Sequence, residues 1–266
     1  MGIVNATPDS FSDGGRYLAL ADAVACAERM AEEGADLVDL GGESTRPGAP
    51  EVPVDEELRR VVPVVERLHA RGFRLPISID TSKGAVARAA LAAGADIVND
   101  VRAGQDPELL RAVAEAGAPI VLMHSRGTSS DMHARATYGD LVADVREELR
   151  GAMARAVAAG VAVERIVLDP GIGFAKTADQ SLELLRRLDV LRTLGRPLLV
   201  GPSRKSFIGA VTHAPVDERL PGTLAAVAAC VLAGVEWVRV HDVPEARQAA
   251  DVAAAIRDGA LPAAPR

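Results

Sequence analysis

Ile77-Ser-Ile-Asp80, then Thr-Ser-Lys83, then Gly84-Ala-Val-Ala-Arg-Ala-Ala-Leu-Ala-Ala93, Gly94 and a second run Ile97-Val-Asn99 form the stretch on which the fold turns. The β-branched run reads as a short strand, the polar triplet as a loop, and the Ala-rich segment as a helix. Gly94 suits the left-handed residue that ends a helix, and Ile97 opens the next strand. The same order recurs from end to end of the 266 residues. The strands read as Gly2–Asn5, Leu37–Leu40, Ile77–Asp80, Ile97–Asn99, Ile120–Met123, Ile166–Asp169, Leu198–Gly201 and Trp237–His241. The helices read as Asp22–Glu33, Asp55–Arg71, Gly84–Ala93, Pro107–Ala116, Asp140–Ala159, Ala178–Leu194, Thr223–Ala233 and Pro244–Asp258, each followed by a glycine. Leu141, Val145, Leu149 and Met153 make one apolar stripe on the longest of them.

Eight βα units without a change of composition or a linker predict an α/β protein with one parallel sheet. Closed on itself, that sheet is a single-domain (β/α)8 TIM barrel, a fold of about 250 residues whose active sites lie at the C-terminal ends of the strands. An open doubly wound sheet usually carries a Gly-rich dinucleotide turn after its first strand, and none is present. A net charge of −7 and only seven aromatic residues (Phe 4, Trp 1, Tyr 2) argue against nucleic-acid binding. An anionic substrate would then need a local cluster of Arg and Lys. The two cysteines have no metal-site spacing, no run is long enough to span a membrane, and no secretory signal opens the chain, so the expected compartment is cytoplasmic.

Side chains alternate faces along a strand, so Arg239 and His241 share one face of Trp237–His241 while Val238 and Val240 share the other. The valines suit the helix layer, which aims Arg239 and His241 into the barrel mouth. The same parity turns Asp80 and Asp169 inward, with Asn5 and Asn99 at the ends of their strands. His124 falls on the opposite parity to Met123 and reads as structural, while His69 and His133 read as surface residues. The loops Asp9–Gly15 and Glu43–Gly48 are rich in Gly, Ser and charge, as suits segments over a site. Gly201-Pro-Ser-Arg-Lys-Ser206 leads into a helical turn whose backbone N–H groups favour an anion, so that Arg46, Lys205, Arg239 and His241 supply the cationic cluster. Pro170–Thr177 fails as a P-loop because Pro170 and Ala175 stand where glycines are required, and Ser203 lacks the second glycine of a nucleophile elbow. No His-x-His follows the first strand.

The segments Asn5–Gly15, Gly41–Gly48, Ser78–Lys83, Val98–Asp100, Leu122–His124, Asp169–Phe174, Ser203–Ser206 and Arg239–Asp242, in this order and spacing, closely resemble the dihydropteroate synthases of folate biosynthesis. That family joins 6-hydroxymethyl-7,8-dihydropterin diphosphate to p-aminobenzoate, giving 7,8-dihydropteroate and pyrophosphate. The resemblance implies that Asp80, Asn99, Asp169 and Lys205 hold the pterin, with Met123, Phe174 and Gly201 in its slot. It implies Asn5, Arg46, Arg239 and His241 for the diphosphate, Asn5 and Asp13 for Mg²⁺, and Phe11, Thr45, Pro47 and Ser203 for p-aminobenzoate. It further implies a dissociative, Mg²⁺-assisted mechanism, sulfonamide as the inhibitor class, and a homodimer. Family members usually begin several residues earlier, so a segment at the barrel floor is expected to be missing here. Ala6 and Ala175 replace a usual Val and a common Gly. Two other functions compete: a catalytically silent pterin-binding paralogue, and a corrinoid-linked methyltetrahydrofolate methyltransferase on a similar barrel. The intact diphosphate residues count against the first, and retention of both Ser44-Thr-Arg-Pro-Gly48 and Ser203-Arg-Lys-Ser206 counts against the second.

Overall fold

A computed structural model of the chain describes residues 1–6, 15–44 and 48–261. Its strands are β1 (Gly2–Asn5), β2 (Val38–Gly41), β3 (Ile77–Asp80), β4 (Ile97–Asp100), β5 (Ile120–Met123), β6 (Ile166–Asp169), β7 (Leu199–Val200) and β8 (Trp237–Val238). The α-helices are α1 (Gly15–Glu32), α2 (Val54–Ala70), α3 (Gly84–Ala92), α4 (Pro107–Ala116), α5 (Leu141–Ala158), α6 (Ala178–Arg186), α7 (Leu188–Arg192), α8 (Ser206–Thr212), α9 (Leu220–Leu232) and α10 (Val243–Asp258). β1 to β6 pair in parallel in sequence order, and β7 pairs with β8. Two parallel bridges, Leu168 with Leu198 and Gly2 with Val240, join these sheets at both edges and close the ring. The chain therefore folds as a (β/α)8 barrel, as the repeat predicts.

The short ladders of β7 and β8 differ from the longer strands expected there. The hydrogen bonds nevertheless run on: the Arg239 N–H donates to Val200 O, the Val240 N–H to Met1 O, and the Ile3 N–H to Val240 O, each at 3.0 Å. Alternating partners on two sides, this segment finishes the closure rather than lengthening one ladder. The helix expected over Ala178–Leu194 is broken at Arg187, whose φ of −117° and ψ of 29° leave the helical region. The break leaves Leu184, Leu188 and Leu191 all buried in the core. α1 begins about two turns before Asp22, and α8 is an additional short helix between β7 and α9. All eight helix-terminating glycines have positive φ, between 61° and 109°.

Strand parity divides the interior. The outward residues Val38, Leu40, Ile77 and Ile79 pack with the helices of one half, and Ile120, Leu122, Ile166 and Leu168 with those of the other. Each such side chain contributes about 1.5–3 kcal/mol on burial. The inward residues at the N-terminal end form a separate apolar floor of Met1, Leu37, Ile97, Val121, Val167 and Leu199, with Trp237 against it. Above this floor the lumen turns polar, with Asp39, Ser78, Asp80, Asn99 and Asp169 all buried.

α3 and α4 approach so closely that a Cβ on Gly84 would lie 2.5 Å from Glu108 Cβ and 2.6 Å from Leu109 N, whereas a Cβ on Gly117 meets nothing. Gly84→Ala is expected to cost about 3 kcal/mol by forcing the helices apart. Gly117→Ala, at a φ of +61°, is expected to cost only about 1 kcal/mol of left-handed strain. Urea denaturation of both variants measures the difference.

Candidate active site

The polar lumen is organised around one guanidinium. Arg239 Nε donates to Asp39 Oδ2 at 2.6 Å and Nη2 to Asp80 Oδ2 at 2.9 Å. Asn99 Nδ2 donates to the same Asp39 Oδ2 at 2.9 Å. These groups come from β2, β3, β4 and the segment after β8, and strand register sets them side by side: Asp80 pairs with Gly41 on one flank and with Asn99 on the other. Asn99 Oδ1, Asp39 Oδ1 and Ser78 Oγ are buried with no hydrogen-bond partner. An unpartnered acceptor in such a place costs free energy that a ligand N–H recovers on binding. Burial pushes the Asp80 carboxyl up to about 7, against the pull of Arg239.

Asp39 is absent from the set that the sequence singles out. It lies one strand before Asp80 on the same inward parity, with Leu37 below it and Gly41 above, and that parity was the available signal. An Asp between two apolar strand residues, 0% exposed, needs a cation, and Arg239, brought to within one strand of it by ring closure across β1, supplies it.

Asp169 and Met123 are neighbours in the β5–β6 register. Asp169 Oδ1 accepts the Gly171 N–H at 2.7 Å, and burial raises its carboxyl to about 6. Lys205 Nζ lies 4.1 Å from the centre of the Phe174 ring, a cation–π contact. Burial first, and then Arg239, lowers the Lys205 ammonium to about 8, while Asp169 and Asp80 oppose the shift. A Cβ on Gly201 would sit 3.8 Å from Arg239 Cβ, so the glycine keeps that wall of the lumen open. The structure thus brings Asp80, Asn99, Met123, Asp169, Phe174, Gly201, Lys205 and Arg239 to one end of the barrel. A cavity over the same end reaches from Glu43 and Asp80 to Met132 and Phe174.

Ser203 Oγ and His241 Nδ1 are 2.9 Å apart, and Ser203 Oγ also accepts the His241 backbone N–H at 3.2 Å. Burial holds the His241 imidazole down at about 4, with Arg204 and Arg239 acting in the same direction. Neutral, the ring carries a single N–H, and the tautomer with that proton on Nε2 leaves Nδ1 to accept a hydrogen bond from the Ser203 O–H and makes Nε2 a donor. Arg204 forks onto Asp242, Nη2 to Oδ1 at 2.5 Å and Nε to Oδ2 at 3.1 Å, which fixes the Ser203–Ser206 loop at a residue with φ of +58°. Asn5 ends β1 with its side chain exposed. Phe11, Asp13, Thr45, Arg46 and Pro47 lie outside the described residues. On the two sides of 45–47, Lys83 binds Glu43, Glu57 (2.6 Å) and Val52 O (2.7 Å), and Ser129 Oγ donates to Ala49 O (2.9 Å) while Ser129 O accepts the Gly48 N–H (2.9 Å). His124 is buried behind the strands, bonded to Glu148 and Lys176, as its parity predicts. His69 and His133 are exposed.

Among the described residues no group of three or more His, Cys, Asp or Glu is arranged to hold a metal ion, and no helix is long and apolar enough to cross a membrane. The family model described as pterin binding enzyme matches residues 1–241. A dihydropteroate synthase of Synechocystis sp. is 48% identical over 258 residues, covering 96% of this chain and 89% of the relative. The dihydropteroate synthase of Yersinia pestis, solved with a sulfonamide drug complex, superposes with a TM-score of 0.91 at 45% identity, over 97% of this chain and 94% of that one. That of Xanthomonas albilineans, in complex with 7,8-dihydropteroate, gives 0.88 at 45% identity over 98% and 94%. A closed barrel with a buried Asp/Asn/Arg lumen, matched over nearly its whole length by these enzymes, belongs to the pterin-binding enzyme family.

Proposed function

We propose that the chain is a pterinylmethyl transferase with dihydropteroate synthase activity, joining 6-hydroxymethyl-7,8-dihydropterin diphosphate to p-aminobenzoate. The observation that carries this reading is the polar lumen above a closed apolar floor, in which Asn99 Oδ1 is a buried acceptor without a donor. The full-length likeness to synthases supports it. The silent paralogue and the corrinoid methyltransferase are not favoured, since the relatives are synthases and the described diphosphate residues are intact.

The pterin edge presents adjacent N–H donors. Asp169 and Asp80 accept them, and Asn99 both donates and accepts. Met123 and the Phe174–Lys205 pair flank the ring. The ring then lies with its methylene toward the strand ends, where Asn5, Arg46, Arg239 and His241 face the diphosphate, the His241 Nε2–H as a neutral donor. The carbon–oxygen bond to the diphosphate breaks first, its electron pair leaving with the pyrophosphate, and the methylene cation is delocalised into the dihydropterin ring. The arylamine nitrogen lone pair then forms the new C–N bond and its proton passes to solvent. No protein nucleophile takes part. The backbone N–H groups at the uncapped first turn of α8 receive the p-aminobenzoate carboxylate, with Ser203 beside them held on His241, and Phe11, Thr45 and Pro47 complete that subsite.

Mg²⁺ fits this donor set as an ion brought with the diphosphate. Asn5 would offer one oxygen ligand from its exposed side chain, and the family resemblance adds Asp13, outside the described residues, as a second, an oxygen-only set that suits this ion. Bound there, it would neutralise charge developing on the leaving group. A homodimer and a cytoplasmic location belong to the same proposal and rest on the family resemblance.

Pyrophosphate release from the pterin diphosphate, with p-aminobenzoate and with and without Mg²⁺, is the direct test; no release in any condition refutes the reading. Asp169→Ala is expected to weaken pterin binding about 100-fold, the loss of a charged acceptor. Arg239→Lys keeps a cation between Asp39 and Asp80, so kcat is expected to fall about tenfold or more with pterin affinity nearly unchanged; equal losses of pterin affinity in the two variants contradict the division of roles. With Asp169 raised to about 6, the accepting carboxylate is lost as pH falls. The pterin kcat/KM is therefore expected to fall in two steps, below about pH 7 as Asp80 protonates and further below about pH 6 as Asp169 does, and Asp169→Asn is expected to remove only the lower step.

A further inference from the structure

Behind β5 and β6, on the helix side of the barrel, Lys176 is 2% exposed. Its ammonium donates to Phe174 O at 2.9 Å and lies 2.9 Å from His124 Nδ1. His124 Nε2 is 3.0 Å from Glu148 Oε2, and Arg126 clasps the same carboxylate. The carboxylate can only accept, so the Nε2 holds the ring proton and the Nδ1 is left to accept from Lys176. Burial keeps the imidazole near 4, which agrees with a neutral ring. Burial lowers the Lys176 ammonium to about 7; Asp169 and Glu148 oppose the shift, and Arg126 and Lys205 add to it.

Between Phe174 and Lys176 stands Ala175, fully buried, with a φ of +49°. A side chain with a Cβ is strained in that region, where glycine is not. Such strain persists only when its surroundings hold it. The holding groups are visible: Tyr138 OH donates to Ala175 O at 2.9 Å, Lys176 binds the carbonyl just before it, and Arg126 stacks 4.0 Å over the Tyr138 ring. The same turn carries Phe174, whose ring bears Lys205 in the lumen.

We propose that Lys176, seated on His124, is a positioning residue that holds the strained turn at Ala175 and so fixes Phe174 and Lys205 against the pterin. This rests on the pterin reading of the lumen. Lys176 itself touches no substrate: it lies on the far side of the turn and acts through Phe174.

The test compares Lys176→Met, Lys176→Gln and the double variant Lys176→Met with Ala175→Gly. Lys176→Met is expected to raise the KM for the pterin diphosphate about tenfold while leaving the KM for p-aminobenzoate within about twofold. Lys176→Gln retains a donor for Phe174 O and should recover most of the loss. Ala175→Gly in the Lys176→Met background removes the strain that the lysine opposes and should recover it as well. Hydrogen exchange of the peptide covering 170–176 should speed up in Lys176→Met and slow again in the double variant, a readout that does not need turnover. An unchanged pterin KM, equal losses for both substrates, or no recovery by Ala175→Gly overturns the proposal. If Lys176→Met does not fold, His124→Ala decides in its place: a raised pterin KM with faster exchange of 170–176 is expected, and wild-type values of both overturn the proposal. A wild-type enzyme that binds no pterin while the exchange pattern holds sinks the functional reading and leaves the latch standing.

Discussion

Arg239 sits between two buried carboxylates, and the upper half of the barrel depends on that arrangement. Taking a guanidinium and two carboxylates out of water costs several kcal/mol per ion, and the cost is met here only because Asp39 and Asp80 converge from consecutive strands onto a residue beyond the eighth, with Asn99 of the next strand donating to Asp39. The bond from Arg239 to Asp39 crosses 200 residues of chain, and the closure that brings them together runs through Val240, Met1 and Ile3. Ring closure and the charged lumen are thus one structural fact seen twice. An open sheet would leave Asp39 buried without a cation.

The floor and the lumen divide the inward positions by height. Met1, Leu37, Ile97, Val121, Val167, Leu199 and Trp237 fill the lower end with apolar volume, which keeps the polar groups above it at one mouth. In that low-dielectric setting burial raises Asp80 and Asp169 and lowers Lys205. Their protonation states are consequently sensitive to a ligand that replaces water, as a flat heteroaromatic with N–H donors does. The net charge of −7 says nothing of this, because the lumen sets Arg239 and Lys205 among Asp39, Asp80 and Asp169 whatever the outer surface carries.

Parity along strands made much of the site legible. Asp80, Asn99, Asp169 and Arg239 follow from a count of two along each short run, and His124 is set aside by the same count. Asp39 obeys the rule equally, but the strand containing it carries no strand-end polar residue to draw notice, and its importance lies in a partner 200 residues further along the chain. Lys176 and Lys83 were illegible for another reason. Each is a loop lysine, ordinarily a solvated one, and only packing shows that the first is buried on a histidine and the second between two glutamates.

The sequence by itself determined the eight βα units, their glycine stops and the inward faces of the strands, because periodicity and left-handed caps are local properties of the backbone. The tertiary structure alone decided which polar groups meet. Arg239 with Asp39, Ser203 with His241, and Lys176 with His124 are pairs set by register around a closed ring and by loops crossing neighbouring strands. The break at Arg187 and the strained backbone at Ala175 were likewise decided by contacts distant in the chain, where packing outweighs local preference.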